Sequence, residues 1–201
     1  MNNTYYSDFE YIINDLKTNQ KESRFIHSMG VAYTAVSLAM KYECDFKKAY
    51  LAGILHDCAK LKDIDDSLYL KICEDHGTEI SDYEKSNPFM LHGKVGAIFA
   101  KEKYNITDEE VLSAVENHIV GKPDMTLLEK ILFIADYIEP ARDQAKNLTY
   151  LRKIAFEDPD LCIYKISENV IDYLKSINAE IDLRAYETLE FYKNEVEDDR
   201  N

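Results

Sequence analysis

The sequence predicts an all-α fold, a single helical bundle, and three observations carry the prediction. Apolar residues recur at spacings of three and four along most of the chain. Glycine and proline are scarce, at 6 and 4 in 201 residues. Capping residues stand immediately before several of the apolar runs.

In chain order, Asp8 to Lys17 reads as a short helix, with Phe9, Ile12, Ile13 and Leu16 on one face. A long helix from about Lys21 to Glu43 carries the stripe Phe25, Met29, Ala32, Val36 and Ala39. Asp45 caps the next, whose apolar face runs through Leu51, Ile54 and Leu55 to His56-Asp57. Leu61 to Pro88 is less periodic and reads as a loop-rich insertion over one end of the core, with a helix at Ser67 to Asp75 stopped by Gly77. Helices resume at His92 to Tyr104 and Asp108 to Ile119, the second opened by a capping box of Thr107 and Glu110. After the break Gly121-Lys122-Pro123-Asp124, Thr126 caps a helix reaching Glu139-Pro140. A last pair spans roughly Pro159 to Ser176 and Asp182 to Glu195. No repeat, linker or internal boundary interrupts the pattern. The chain therefore reads as one domain over 1–201: a core at about 20–145, C-terminal helices at about 148–195 and an acidic tail at 196–201.

Composition narrows the function classes. A net charge of −14 argues against nucleic acid or an anionic membrane as partner, because both need a basic face. Apolar stretches such as Ile131 to Ala135 fall far short of the ~20 residues of a membrane span. Met1 to Asp8 has neither a basic nor an apolar segment of a secretory signal, so none is expected. Cys44, Cys58, Cys73 and Cys162 are scattered without a CxxC pair, which predicts reduced thiols and a cytoplasmic location. An acidic chain that handles phosphate must make its site locally positive, with metal ions or clustered Lys and Arg.

Four of the 5 histidines occupy helix faces or ends. His27 lies inside the long helix, His56 is followed directly by Asp57, His92 opens a helix and His118 closes one. Asp136 falls on the core-facing stripe of Leu128 and Leu132, where a charge is costly unless paired or bound to a metal. Each residue alone has a bland reading as a satisfied core group. Together, imidazoles and carboxylates converging on one interior offer the N/O donor set of Fe, Mn, Co, Ni or Zn. His76, in Glu74-Asp75-His76-Gly77, reads as a surface loop residue. Lys60 follows His56 and Asp57 closely enough to share a helix face with them. Lys60, Arg24 and Arg142 are the candidate contacts for phosphate oxygens, with Lys94 and Lys122 weaker ones.

The order His27 … His56-Asp57 … Asp136 resembles the H…HD…D signature of the HD-domain metallophosphohydrolase superfamily, and His92 and His118 resemble the additions of its two-metal subset. The words Ala52-Gly53-Ile54-Leu55-His56-Asp57-Cys58-Ala59-Lys60 and Ile134-Ala135-Asp136-Tyr137-Ile138-Glu139-Pro140-Ala141-Arg142 are similar to those of the YqeK-type symmetrical bis(5′-nucleosyl)-tetraphosphatases. The likeness runs from about Phe9 to Tyr192. It departs from the family after the fourth histidine, where Ile119-Val120 replace the expected hydroxyl residues.

The resemblance implies an HD-type bundle with a dinuclear site in its core. His27, His56, Asp57 and Asp136 would hold one ion, Asp57, His92 and His118 the other, with Asp57 bridging and iron preferred. It also implies symmetrical hydrolysis of diadenosine tetraphosphate to two nucleoside diphosphates by a hydroxide that the two metals activate. Asp57 and Lys60 would act in catalysis, and Arg24, Lys60 and Arg142 in substrate binding. The alternatives are another HD nucleotide phosphohydrolase, such as a nucleotidase or deoxynucleotide hydrolase, and a non-catalytic nucleotide or metal sensor. The expected partner is a small nucleotide, with no nucleic acid and no membrane. A homodimer stays open.

Overall fold

The computed structural model describes residues 8–198, and among these it contains helices and no strand. The readings of Met1 to Ser7 and of Asp199 to Asn201 lie outside the described residues. The helices are α1 (Glu10–Asn19), α2 (Glu22–Tyr42), α3 (Phe46–Leu55), α4 (Ser67–Asp75), α5 (Asp82–Ser86), α6 (His92–Glu102), α7 (Glu109–Asn117), α8 (Leu127–Ile138), α9 (Leu148–Ile154), α10 (Pro159–Ser176) and α11 (Leu183–Asp198). A 3₁₀ turn at Pro88–Leu91 leads into α6. Among the described residues no helix is long and apolar enough to cross a membrane.

The axis of the bundle is α8. Its Leu128, Ile131, Leu132, Phe133, Ile134, Ala135 and Ile138 are all buried, and it packs against α2, α3, α7, α9 and α10. A helix apolar nearly all round belongs in the middle of a core. Thr126 starts it with a full capping box, its hydroxyl accepting from Glu129 N while Glu129 returns to Thr126 N. The closest pair is α2 with α3. Gly53 makes that approach feasible: a Cβ there would lie 2.5 Å from the Ala32 Cα, so any side chain would force the helices apart. One hydrophobic cluster then runs from Ile12 on α1 to Tyr192 on α11, and a smaller one, with Tyr69, Cys73, Leu91 and Val95, ties α4 to α6.

The structure corrects the expected elements at several points. Asp108, not Thr107, caps α7, its carboxylate accepting from Glu110 N and Val111 N. An acid beside the start of a helix outcompetes a hydroxyl one residue earlier because it reaches two free N–H groups. The insertion holds α5 and the 3₁₀ turn besides α4. The short α9 was not foreseen, and α11 runs through Val196 to Asp198, residues expected to be tail. Tyr50, Tyr69, Tyr104 and Tyr192 are buried and add to the core. The four cysteines are free thiols, as expected.

Candidate metal centre

The regular helix of α3 ends at Leu55, and His56, Asp57, Cys58 and Ala59 continue as a turn. The shared helix face expected for His56, Asp57 and Lys60 is therefore absent, yet in the turn Lys60 Nζ lies 3.1 Å from Asp57 Oδ1. Gln20, buried at the end of α1, donates its Nε2 to the Asp57 carbonyl at 2.8 Å and pins the turn. His27 comes from the middle of α2, Asp136 from α8, His92 from the start of α6 and His118 from the end of α7.

All six side chains meet. The Nε2 of His27 lies 3.2 Å from the Nε2 of His56 and 3.0 Å from Asp136 Oδ1. The Nε2 of His92 lies 3.2 Å from the Nε2 of His118. Asp57, with its side chain 2% exposed, stands between the two groups. Its Oδ2 is 3.4 Å from His56 Nε2 and 3.9 Å from His27 Nε2. Its Oδ1 is 3.5 Å from His92 Nε2 and 3.9 Å from His118 Nε2. The ligand atoms form two triads, His27 with His56 and Asp136, and Asp57 with His92 and His118, each within 4.8 Å.

The tautomers follow from the outer nitrogens. His56, His92 and His118 each donate Nδ1–H to the carbonyl three residues back, at 2.7, 2.6 and 2.7 Å on Gly53, Phe89 and Val115. His27 instead directs Nδ1 to the Glu139 carboxylate at 3.1 Å. With the Nδ1 protons placed outward, the four Nε2 lone pairs face one another and two carboxylates. Lone pairs opposed at 3.2 Å repel unless a cation sits among them. Asp57 Oδ1 adds to this, being buried without a hydrogen bond of its own although Lys60 Nζ is 3.1 Å away. Four imidazole nitrogens with two carboxylates suit a transition-metal pair, so the residues present fit the expected group.

Protonation agrees. Burial pushes His92 down to about 3, with the Lys60 and His118 charges adding to it. Burial likewise pushes His118 down to about 4, with His56 adding to it. Both imidazoles are neutral at neutral pH. Burial would depress His56 too, but the Asp57 carboxylate beside it outweighs that and raises it. Burial would raise Asp57, yet His56 and Lys60 hold it well below the usual carboxylate range. The His27 hydrogen bond and the charges of His56 and Arg142 do the same for Asp136, also against burial.

The three cations singled out in the sequence stand at the rim. Arg24 Nη1 contacts Asp57 Oδ2 at 2.5 Å, and Arg142 Nη2 contacts Asp136 Oδ1 at 2.8 Å. With Lys60 they ring the cluster and are partly open to solvent. Lys94 and Lys122 are spent on the buried acids Glu84 and Glu129. His76 is exposed and pairs with Glu102, away from the cluster. Beside the Ile119-Val120 departure, the Val115 carbonyl holds His118 Nδ1 at 2.7 Å. Sequence reasoning missed Gln20 and Glu139. For Glu139 a signal existed, since it follows Asp136 by three residues, close to one helix face.

Two cavities lie beside the rim cations, one against Arg24 and Lys60 and the other against Arg142. One, of ≈ 360 Å³, is lined by Lys21, Arg24, Lys60, Tyr69, Phe89 and His92 among others. The other, of ≈ 780 Å³, includes Tyr137, Arg142, Lys146, Asn169 and Tyr173 in its wall.

Comparison with known proteins agrees with the geometry. Residues 24–141 match the sequence profile of the HD domain. The chain is 34% identical over 163 residues to a symmetrical bis(5′-nucleosyl)-tetraphosphatase of Bacillus subtilis, covering 81% of this chain and 86% of the relative. The protein of the same name from Halalkalibacterium halodurans is 38% identical over 166 residues, covering 83% and 87%. A crystal structure from Clostridium acetobutylicum, described as a predicted HD superfamily hydrolase involved in NAD metabolism, superposes with a TM-score of 0.88 at 38% identity, covering 93% of this chain and 97% of that one.

Proposed function

This chain belongs to the HD domain family, among the symmetrical bis(5′-nucleosyl)-tetraphosphatases, and on that premise we propose that it hydrolyses diadenosine tetraphosphate to two nucleoside diphosphates. The observation that carries this reading is the pair of N/O triads, with Asp57 of the second turning its other oxygen to within 3.4 Å of His56 in the first. His27, His56 and Asp136 would hold one ion and His92 and His118 the other, with one Asp57 oxygen turned to each. Iron is the first candidate, and the donor set also accepts Mn, Co, Ni or Zn. Bound cations would acidify water towards neutral pH and offset phosphate charge.

The chain's own residues would do the rest. Arg24, Lys60 and Arg142 already lie against the cluster carboxylates and can turn to non-bridging phosphate oxygens, the two guanidinium groups in bidentate fashion. Lys60, nearest Asp57 Oδ1, is placed to hold the attacked phosphate over the cluster. The first cavity combines three cations with Phe89, a ring 50% exposed, and so offers phosphate contacts and a stacking face to one nucleoside arm. The second, reached past Arg142 and walled by Tyr137 and Tyr173, suits the other arm. A substrate with one nucleoside in each cavity and its phosphates over the cluster would be cut at the central anhydride. The continuous core supports one domain, and the free cysteines support a cytoplasmic setting.

Product analysis on diadenosine tetraphosphate with iron- or manganese-loaded protein tests the reading. Two nucleoside diphosphates per substrate and no other nucleotide are expected. Nucleoside triphosphate with monophosphate, or free phosphate, would overturn it.

A further inference from the structure

The His27 ligand differs from its three partners in how it is held, and the difference leads outward from the site. His56, His92 and His118 stand at helix ends, where a carbonyl three residues back is within reach of the ring. His27 lies inside α2, and its Nδ1 takes its partner from another element, the buried Glu139 just past α8. Glu139 is 2% exposed. Its Oε1 faces His27 Nδ1, and its Oε2 accepts from Ala141 N at 2.7 Å. Gly30, one helical turn after His27, makes room: a Cβ there would sit 2.5 Å from Glu139 Oε2.

The turn carrying Glu139 is itself clamped. Arg152, on α9, donates to the carbonyls of Ile138 at 2.9 Å, Glu139 at 2.9 Å and Arg142 at 2.8 Å. Ile138 is the last residue of its helix, where carbonyls lack an intrahelical partner, and a guanidinium fork can satisfy several acceptors at once. From the same turn Arg142 reaches back to the Asp136 carboxylate at 2.8 Å and the Asp136 carbonyl at 3.1 Å. One turn therefore addresses two of the three donors of the His27 triad and none of the His92 triad.

We propose that the Glu139–Arg142 turn, held by Arg152 and admitted by Gly30, is a positioning device for the His27–His56–Asp136 triad alone, with Glu139 fixing the tautomer and aim of His27. The inference rests on the metal-ligand reading above. A carboxylate behind a ligating imidazole orients the ring and makes it a stronger donor, and loss of such a partner typically weakens metal binding about 10–100-fold. Glu139 touches neither substrate nor ion, so it acts only through His27.

The test is site-resolved metal binding by calorimetry with Co(II) or Mn(II), joined to histidine-ring ¹H–¹⁵N spectra of the metal-free protein, on wild type, Glu139→Gln, Glu139→Ala, Gly30→Ala and Arg152→Met. Circular dichroism screens each for folding. Wild type should bind two ions and display an outward Nδ1 proton on His27. Glu139→Ala should lose that ring signal and bind one ion about 10–100-fold more weakly while keeping the other. Gly30→Ala should do the same with the carboxylate chemically intact, Arg152→Met should weaken the same ion, and Glu139→Gln, which retains an acceptor oxygen, should fall between. Wild-type affinity at both sites in folded Glu139→Ala would overturn the inference, as would equal weakening of both. Fewer than two ions in wild type would overturn the two-ion reading instead. In that case the ring signal still decides the tether: its loss in Glu139→Ala upholds it and its persistence removes it.

Discussion

The two halves of the cluster are built by opposite means. The His92–His118 half uses histidines at the ends of α6 and α7, each steered by a carbonyl of its own chain segment. Local geometry suffices there, and the surroundings are poor in carboxylates, so burial prevails and both imidazoles stay neutral. The His27 half uses residues inside α2 and α8, where steering must come from elsewhere, and Glu139, Asp136 and the near oxygen of Asp57 gather round it. The difference teaches that one half is assembled by secondary structure and the other by tertiary structure. The second is the more negative and should bind its cation more tightly.

Asp57 is the element common to both, so its removal should be the most damaging single change. Asp57→Ala should strip both ions and lower turnover at least about 10³-fold, as for loss of a preorganised electrostatic contact. Metal analysis with steady-state rates checks this, and retention of one ion at full occupancy would mean that the halves are independent. Next come substitutions that separate them. His27→Ala and His118→Ala should each cost one ion and about 10²-fold or more in turnover, with the ion that survives the His118 change bound more tightly than the one that survives the His27 change.

Smaller effects belong to the rim. Lys60→Met should raise KM about tenfold, because hydrogen bonds to charged groups contribute about 1.5–3 kcal/mol. Its metal content should stay at the wild-type value. A fall in metal rather than a rise in KM would move Lys60 from substrate to cluster.

The mildest test uses pH on metal-free protein. His92 and His118 are depressed to about 3 and about 4, so between about pH 4 and about 6.5 the unfolded chain takes up protons that the folded one refuses. Stability should therefore fall on acidification across that window. His56 is raised, so its contribution is complete below about 6.5 and fades as the pH climbs through its folded value. Melting temperature should accordingly peak near about pH 6.5. A flat profile from about pH 4 to about 6.5 would contradict the burial of the second half.

Much of this was legible before any coordinates. The bounds of α4 and α10 follow from their punctuation, Gly77 after one and Pro159 at the start of the other. Asp45 and Thr126 cap as expected because a side-chain oxygen beside free N–H groups acts locally. What escaped depends on distant partners or competing local ones. Asp108 displaced Thr107, α9 was too short to carry periodicity, and the helix under Lys60 unwound at His56. Asp136 was visible because a carboxylate on an apolar stripe demands an explanation, and the set of six through the resemblance to the H…HD…D pattern. Gln20 and Arg152 were not, because nothing local distinguishes an amide or a guanidinium that will meet a turn across the bundle.

Anomalous diffraction from crystals of iron- or manganese-loaded protein, recorded on either side of the metal edge, addresses the cluster most directly. Two peaks are predicted, one bounded by His27, His56 and Asp136 and the other by His92 and His118, with an Asp57 oxygen at each. A single peak, or density elsewhere while the protein still turns over dinucleotide, would contradict it.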